Sequence, residues 1–250
     1  MWISLADVAD HFLVFASIDK SQKHNGLCAF VIERGMAGLT TGSIKGKLGV
    51  RAGNTGWLAF DNVRIPAENM IGQEGEGFKI AMTCIDQGRF TVAAGAVGLA
   101  KASLDASVKY CHEREAFGQE IGKFELIQQK LAYMVAGIEA SEMLVMKAAE
   151  LKNRGIRNTK ETSLAKWYAC DVALKSADEA IQVHGAYGYS NEYPVERYMR
   201  NARGAVIYEG TREIHQLVQA SYALGYRVDK PLRCPQPPAQ AFETQELVTA

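Results

Sequence analysis

The chain has 250 residues, 48% of them hydrophobic, enough for a sizeable buried core in one large domain or two smaller ones. Its 28 basic and 28 acidic residues cancel, which argues against nucleic acid as the main partner, because phosphate binding needs a basic surplus. No apolar run reaches the roughly 20 residues of a membrane span, and the cysteines at 28, 84, 111, 170 and 234 form neither a CxxC pair nor a zinc-ligand spacing, so free thiols in a reducing compartment and no metal site are expected.

In chain order, the N-terminus lacks the basic start and cleavage pattern of a signal peptide and reads as the interior of a domain. Residues 14–18 form a short apolar, strand-like run. Residues 21–26 are polar and contain Asn25-Gly26, a favoured hairpin turn. Residues 27–32, 40–48 and 57–65 read as three further strands, the last ended by Pro66. Four strands with turns between them predict an antiparallel sheet or part of a barrel.

From about Gly77 the hydrophobic period changes from two to 3.6. Val97, Ala100, Leu104 and Val108 mark one face of a long helix; Ile127, Leu131, Met134, Ile138 and Val145 mark a second, running to Gly155. Asn158, with Glu161 three residues later, resembles a capping arrangement that starts a third helix. Leu164, Tyr168 and Val172 supply its apolar face, and Gly185 ends it. A short helical piece follows over 194–200, then a fourth long helix over 210–224. The expected fold is α+β: a partial antiparallel β-domain over 1–72, then an up-and-down four-helix bundle over 73–228. The proline-rich tail, 229–250, is expected to be extended or disordered.

Chemistry enters with Ile207-Tyr208-Glu209-Gly210-Thr211, which sets a carboxylate beside a glycine and a hydroxyl where a helix begins. Alone, that is a helix-start signal, since acids sit well against the N-terminal dipole. It is preceded, in order, by Trp2-Ile3-Ser4, Gly72-Gln73-Glu74-Gly75-Glu76-Gly77-Phe78, Asp86-Gln87-Gly88-Arg89, Arg114-Glu115-Ala116-Phe117-Gly118, and Gln182-Val183-His184-Gly185-Ala186-Tyr187-Gly188-Tyr189. Each motif is weak, but the ordered set closely resembles the acyl-CoA dehydrogenase family from residue 1 to about 226.

The resemblance implies FAD-dependent α,β-dehydrogenation of an acyl-CoA thioester, with Glu209 as the base that removes the α-proton. It implies that Trp2 and Ser4 lie over the flavin ring, and that Asp86, Arg89 and Gly210 line the acyl-CoA site. Arg114 and Phe117, with Gln182 and Gly185, would hold the adenine-diphosphate end of an FAD bound mainly to a neighbouring subunit. Thr211 and Glu213 would add flavin contacts. It further implies a homotetramer, an electron-transfer flavoprotein as electron acceptor, and a cytoplasmic location in a bacterium or the mitochondrial matrix in a eukaryote. Two positions depart from the family pattern: Glu125 stands where a flavin-contacting glutamine is common, and Ala186 replaces a frequent glycine. Segments 51–56 and 124–128 are similar to glutaryl-CoA-type members. Relative to the family, an N-terminal helical domain and part of the β-domain are not in this sequence, which implies a shortened form.

The chemistry itself asks for such residues. A carboxylate removes the weakly acidic C–H, and backbone N–H groups at a helix start stabilise charge developing on the thioester oxygen. Two other readings stay open: a helical assembly without catalysis, and an oxidase of the same superfamily. His11, His24, His112 and His215 are expected to be structural or surface residues. Lys45 and Lys47 are expected in a solvated turn, and Met143 and Met146 in core packing.

Overall fold

A computed structural model describes residues 1–229; beyond Asp229 the expected tail, with Cys234, lies outside the described residues. The first seventy residues form two three-stranded antiparallel sheets. One has the order β1 (Ile3–Ser4), β5 (Thr55–Phe60), β4 (Leu39–Ser43); the other has the order β2 (His11–Ser17), β3 (Leu27–Glu33), β6 (Met70–Ile71). The four expected strands are present, and the two-residue strands β1 and β6, too short to show a period, add an edge to each sheet.

The expected Asn25-Gly26 hairpin turn does not form. Instead a 3-10 turn over Lys20–Gly26 joins β2 and β3, because the Asp19 carboxylate accepts from the Ser21 N–H at 2.8 Å and winds the chain before it reaches Asn25. The register runs from His11 opposite Glu33 to Ser17 opposite Leu27. Phe12, Cys28, Ala29 and Ile32 are buried, and the bundle begins directly on them. Gly77 opens α1 (Gly77–Glu113) so close to β3 that a Cβ there would stand 2.6 Å from the Cys28 carbonyl carbon.

After α1 come a small hairpin, β7 (Glu115–Ala116) and β8 (Gln119–Glu120), then α2 (Glu125–Asn153), α3 (Thr159–His184), α4 (Val195–Ala205) and α5 (Arg212–Ala223). Three helices are long; the expected fourth, α5, has only 12 residues. Its start is displaced because Glu209 and Gly210 both have positive φ, 57° and 96°, and cannot belong to a right-handed helix. α3 starts immediately after Asn158, yet no capping box forms: the Asn158 amide donates to the Ala148 carbonyl at the end of α2 instead.

α3 is the centre of the bundle and packs on α1, α2, α4 and α5. Its buried face is therefore not Leu164, Tyr168 and Val172, of which Tyr168 is exposed and the others are partly buried. It is a stripe of mostly small residues at alternating spacings of three and four: Thr162, Ala169, Ala173, Ser176 and Ala180, with Lys166 the one large member, joined by Cys170 and Ala177. Small side chains let four neighbours approach one helix closely. On α2, Met134 and Ile138 face this core, whereas Met143 and Met146, expected inside, are 61% and 59% exposed. The first sheet meets the bundle at the loop after β4, where the Val50 N–H donates to Asn201 Oδ1 at 2.7 Å and Arg200 donates to the Leu48 carbonyl at 3.1 Å.

Candidate active site

α4 ends at Ala205, and the chain turns through residues 206–210 before α5, with the Arg212 N–H closing the loop on the Val206 carbonyl. At the tip, Glu209 occupies the left-handed region, which costs a non-glycine residue roughly 1–2 kcal/mol. Two side chains from different helices grip the turned-in carbonyls. Arg89 Nε of α1 donates to the Glu209 carbonyl at 3.1 Å, and Lys166 Nζ of α3 donates to the Gly210 carbonyl at 2.7 Å. Arg89 is in turn held by Asp86 at 3.1 Å, and Asp86 accepts from the Thr159 hydroxyl at 2.8 Å where α3 begins. Strained backbone that is over-determined in this way marks functional sites.

The Glu209 side chain runs back along α1 and rests on Gly88, where a Cβ would lie 2.7 Å from the carboxylate carbon. Beside it, Thr91, Val92, Gly95, Leu99, Ala205 and Tyr208 line an open cavity of about 370 Å³. The loop thus holds a carboxylate against α1, one residue beyond Tyr208 of this mostly apolar cavity, with two cationic side chains gripping its backbone.

Behind the loop the groups are unusually buried. Lys166 is fully buried, and burial holds its ammonium below the usual lysine range. His215 of α5 is also fully buried and shares a hydrogen bond with Ser163 Oγ through Nδ1 at 2.8 Å. Burial first, then the charges of Lys166 and Arg89, push His215 down to about 4, so it is neutral at pH 7. Among the described residues its Nε2 has no hydrogen-bond partner, and it would lie 3.1 Å from a Cβ built on Gly210. Cys170, one turn from Lys166, is pushed up to about 11 by burial and stays a thiol.

The structure gathers four of the expected site residues, Asp86, Arg89, Glu209 and Gly210, into this cluster. Thr211 is the residue before α5, and the Glu213 carboxyl sits below the usual range through its own backbone N–H and the Thr211 hydroxyl. A second group lies at the far end of α1. Stacking of Tyr110 on His184, 4.2 Å between ring centroids, brings the end of α1 against the end of α3. Arg114 and Phe117 therefore share one pole of the bundle with Gln182 and Gly185. Phe117 is 96% exposed, and the Arg114 guanidinium makes no hydrogen bond or ion pair among the described residues. Neither group includes Ser4, on β1, which pairs with β5, or Trp2 just before it, which is 67% exposed at positive φ.

Reading by pattern missed Lys166, Ser163, Thr159 and Gly88, and placed His215 among incidental histidines. Lys166 carried a usable signal: it is the one charged residue on the small-residue stripe of α3, where a buried cation needs a reason. Gly88 stood inside the motif of residues 86–89 without a role of its own, because its value lies in a contact 121 residues away.

With this geometry in place, comparison with known proteins gives consistent matches. Residues 75–223 match the family model described as acyl-CoA dehydrogenase, C-terminal domain, and residues 1–63 match the acyl-CoA dehydrogenase middle domain. A short-chain specific acyl-CoA dehydrogenase of Megasphaera elsdenii is 46% identical over 218 residues, covering 87% of this chain and 57% of that protein. A glutaryl-coenzyme A dehydrogenase solved with glutaryl-CoA superposes with a TM-score of 0.88 at 42% identity, over 90% of this chain and 57% of its own. A chain from a study of the electron transferring flavoprotein of Acidaminococcus fermentans gives 0.87 at 45% identity, over 89% of this chain and 59% of its own. The chain thus spans somewhat more than half the length of the relatives it matches.

Proposed function

The chain belongs to the acyl-CoA dehydrogenase family, and from that premise we propose that it takes part in α,β-dehydrogenation of an acyl-CoA thioester with Glu209 as the base. The observation that carries this reading is the Glu209 loop: a carboxylate whose backbone holds a strained left-handed conformation, gripped by Arg89 and Lys166, laid against Gly88 of α1, and next in the chain to Tyr208, which lines an open cavity. A carboxylate held so firmly meets the demand of proton abstraction from carbon, where small displacements of the base are expensive. Glu209 takes the α-proton on its carboxylate. Amides of the turn from Gly210 into the start of α5 would supply donors for charge developing on the thioester oxygen.

The cofactor of this reading is FAD, and the residues present suit it. Trp2 and Phe117 offer free aromatic faces, Arg114 offers an unpaired guanidinium for a phosphate, and the positive φ of Gly185 leaves backbone open at the same pole. When bound, the flavin supplies the hydride acceptor for the β-carbon. Arg89, a third of the way along α1, and Arg114, the residue that ends it, are about 37 Å apart at 1.5 Å per residue. That is further than one dinucleotide reaches, which supports a site shared between subunits of a homotetramer. The neighbour from the Acidaminococcus flavoprotein study supports an electron-transfer flavoprotein as the acceptor. The division into a β-unit over 1–72 and a helical unit over 73–228 belongs to the same proposal, as does the cofactor-binding role of Thr211 and Glu213 as flavin contacts.

Glu209→Gln tests it. The variant is expected to fold and retain flavin but to lose acyl-CoA-driven flavin bleaching by orders of magnitude. Bleaching at the unmodified rate would remove Glu209 from the role. A chain that remains colourless after FAD loading would favour helical assembly without catalysis.

A further inference from the structure

Lys166 has no counterpart in the reading above except as scaffolding, and its burial argues against mere scaffolding. It is fully buried on a stripe otherwise made of alanine, serine, threonine and cysteine, and its one hydrogen bond runs to the Gly210 carbonyl at 2.7 Å. It forms no ion pair within 4 Å among the described residues. A buried ammonium without a carboxylate partner destabilises a fold relative to an apolar side chain of similar size. The groups that face it are Arg89 from α1, Cys170 and Asp171 on its own helix, Glu209 on the loop and His215 from α5. Of these only the carboxylates of Glu209 and Asp171 can carry compensating charge, and Asp171 is already engaged by Arg212 at 2.6 Å and by the Trp167 indole. The charge best placed to justify the lysine is therefore that of Glu209.

We propose that Lys166 is a positioning residue for Glu209: bonded to the next carbonyl, it locks the 209–210 turn with its two consecutive positive φ angles, and its charge is coupled to that of the Glu209 carboxylate. This rests on Glu209 being the working carboxylate, but its test does not need turnover. The geometry supports it from two sides. Arg89 fixes the carbonyl of the Glu209–Gly210 peptide and Lys166 that of the Gly210–Thr211 peptide, so neither of these successive peptides can flip without breaking its bond. His215 closes the third side, its unpartnered Nε2 against Gly210, and being neutral it adds no competing charge.

The first measurement follows the Lys166 side chain by NMR through a pH titration in the full chain and in Glu209→Gln, which leaves Lys166 and its surroundings intact. Coupling predicts that Lys166 titrates at lower pH once the carboxylate is gone, because an opposite charge that favoured the ammonium has been removed. The second compares the Glu209 and Gly210 backbone amide signals in Lys166→Met and Lys166→Gln. They are expected to shift and broaden in the Met variant and to return toward their original positions in the Gln variant, which keeps a donor for the Gly210 carbonyl. Identical Lys166 titration with and without Glu209 overturns the proposal, and so do unchanged 209–210 amides in the Met variant. If the Met variant fails to fold, the titration in Glu209→Gln decides alone. Retention of flavin bleaching by Glu209→Gln would count against the proposed function and leave this coupling measurable.

Discussion

The Glu209 carboxylate rests directly on the backbone of Gly88, 121 residues earlier in the chain, where a single added methyl group would stand 2.7 Å from its carbon. The absence of a side chain on α1 is thus what gives the carboxylate its place. About one helical turn of α1 carries the whole arrangement: Asp86 and Arg89 secure the loop, and Gly88 leaves room for what the loop delivers.

Gly88→Ala separates fold from site. Within a helix, alanine is favoured over glycine by about 1 kcal/mol, and the atom in its way is the mobile end of a side chain. The expected outcome is unchanged or slightly raised Tm together with a loss of flavin reduction on the order of a hundredfold, since a base displaced by about 1 Å loses alignment. Thermal unfolding and stopped-flow bleaching of one preparation check both halves.

His215 makes stability depend on pH in a direction fixed by its burial. Its folded value of about 4 lies below the ordinary 6.5, so the folded state refuses a proton that the unfolded chain accepts. Stability from this group is complete above pH 6.5, falls as pH drops from 6.5 toward 4, and changes no further below that. The span corresponds to at most about 3 kcal/mol. Denaturant unfolding at pH 7.5, 6 and 5 is expected to show a decline that His215→Gln flattens. An equal decline in both proteins would mean that other groups set it.

How much of this could be read from the chain differs by element. The long helices announce themselves because α1 and α2 each bury one apolar face, so Val97, Ala100, Met134 and Ile138 repeat at helical spacing. α3 does not, since a helix surrounded by four others buries small residues on several sides and its few large ones, such as Tyr168, point outward. Glu209, Arg89 and Asp86 were legible as motif positions. Lys166 left only a trace, as the one charged residue on the small-residue stripe of α3, and His215 left none, because what makes it unusual is total burial, and that depends on where α5 folds back. The two-residue strands fall below any periodic signal, and the Asn25-Gly26 turn was misread because an upstream Asp19 cap outweighs it.

The seam between the first sheet and the bundle rests on one asparagine and one close approach. Asn201 Oδ1 accepts from the Val50 N–H, and Gly49 lies so near α4 that a Cβ would meet the Arg200 carbonyl at 2.2 Å. Gly49→Ala must push backbone against backbone and is expected to cost roughly 1–3 kcal/mol. Asn201→Ala loses one hydrogen bond and leaves an amide unpaired, about 1 kcal/mol. Limited proteolysis is expected to cut within the first seventy residues faster in both variants while the helical portion resists. Cleavage spread evenly over both portions would show that this seam does not set the order of opening.

The separation of the two residue groups along α1 leads to a test by mixing. If Glu209 of one subunit works on a flavin whose adenine end is held by Arg114 and Phe117 of another, neither Glu209→Gln nor Arg114→Glu alone leaves a working site. A dimer holding one chain of each kind, however, contains one site built from both undamaged halves. Its second site carries both lesions. Random reassembly of equal amounts puts half the dimers in this mixed form, so about a quarter of the sites recover. Co-refolding the two variants and titrating the flavin bleached by excess acyl-CoA measures that fraction directly. Arg114→Glu alone is expected to retain at most a tenth of the flavin after dialysis, because a carboxylate replaces the cation facing a phosphate. No recovery on mixing, with each variant shown to be folded, would place both groups of residues on one subunit's site and contradict the distance along α1.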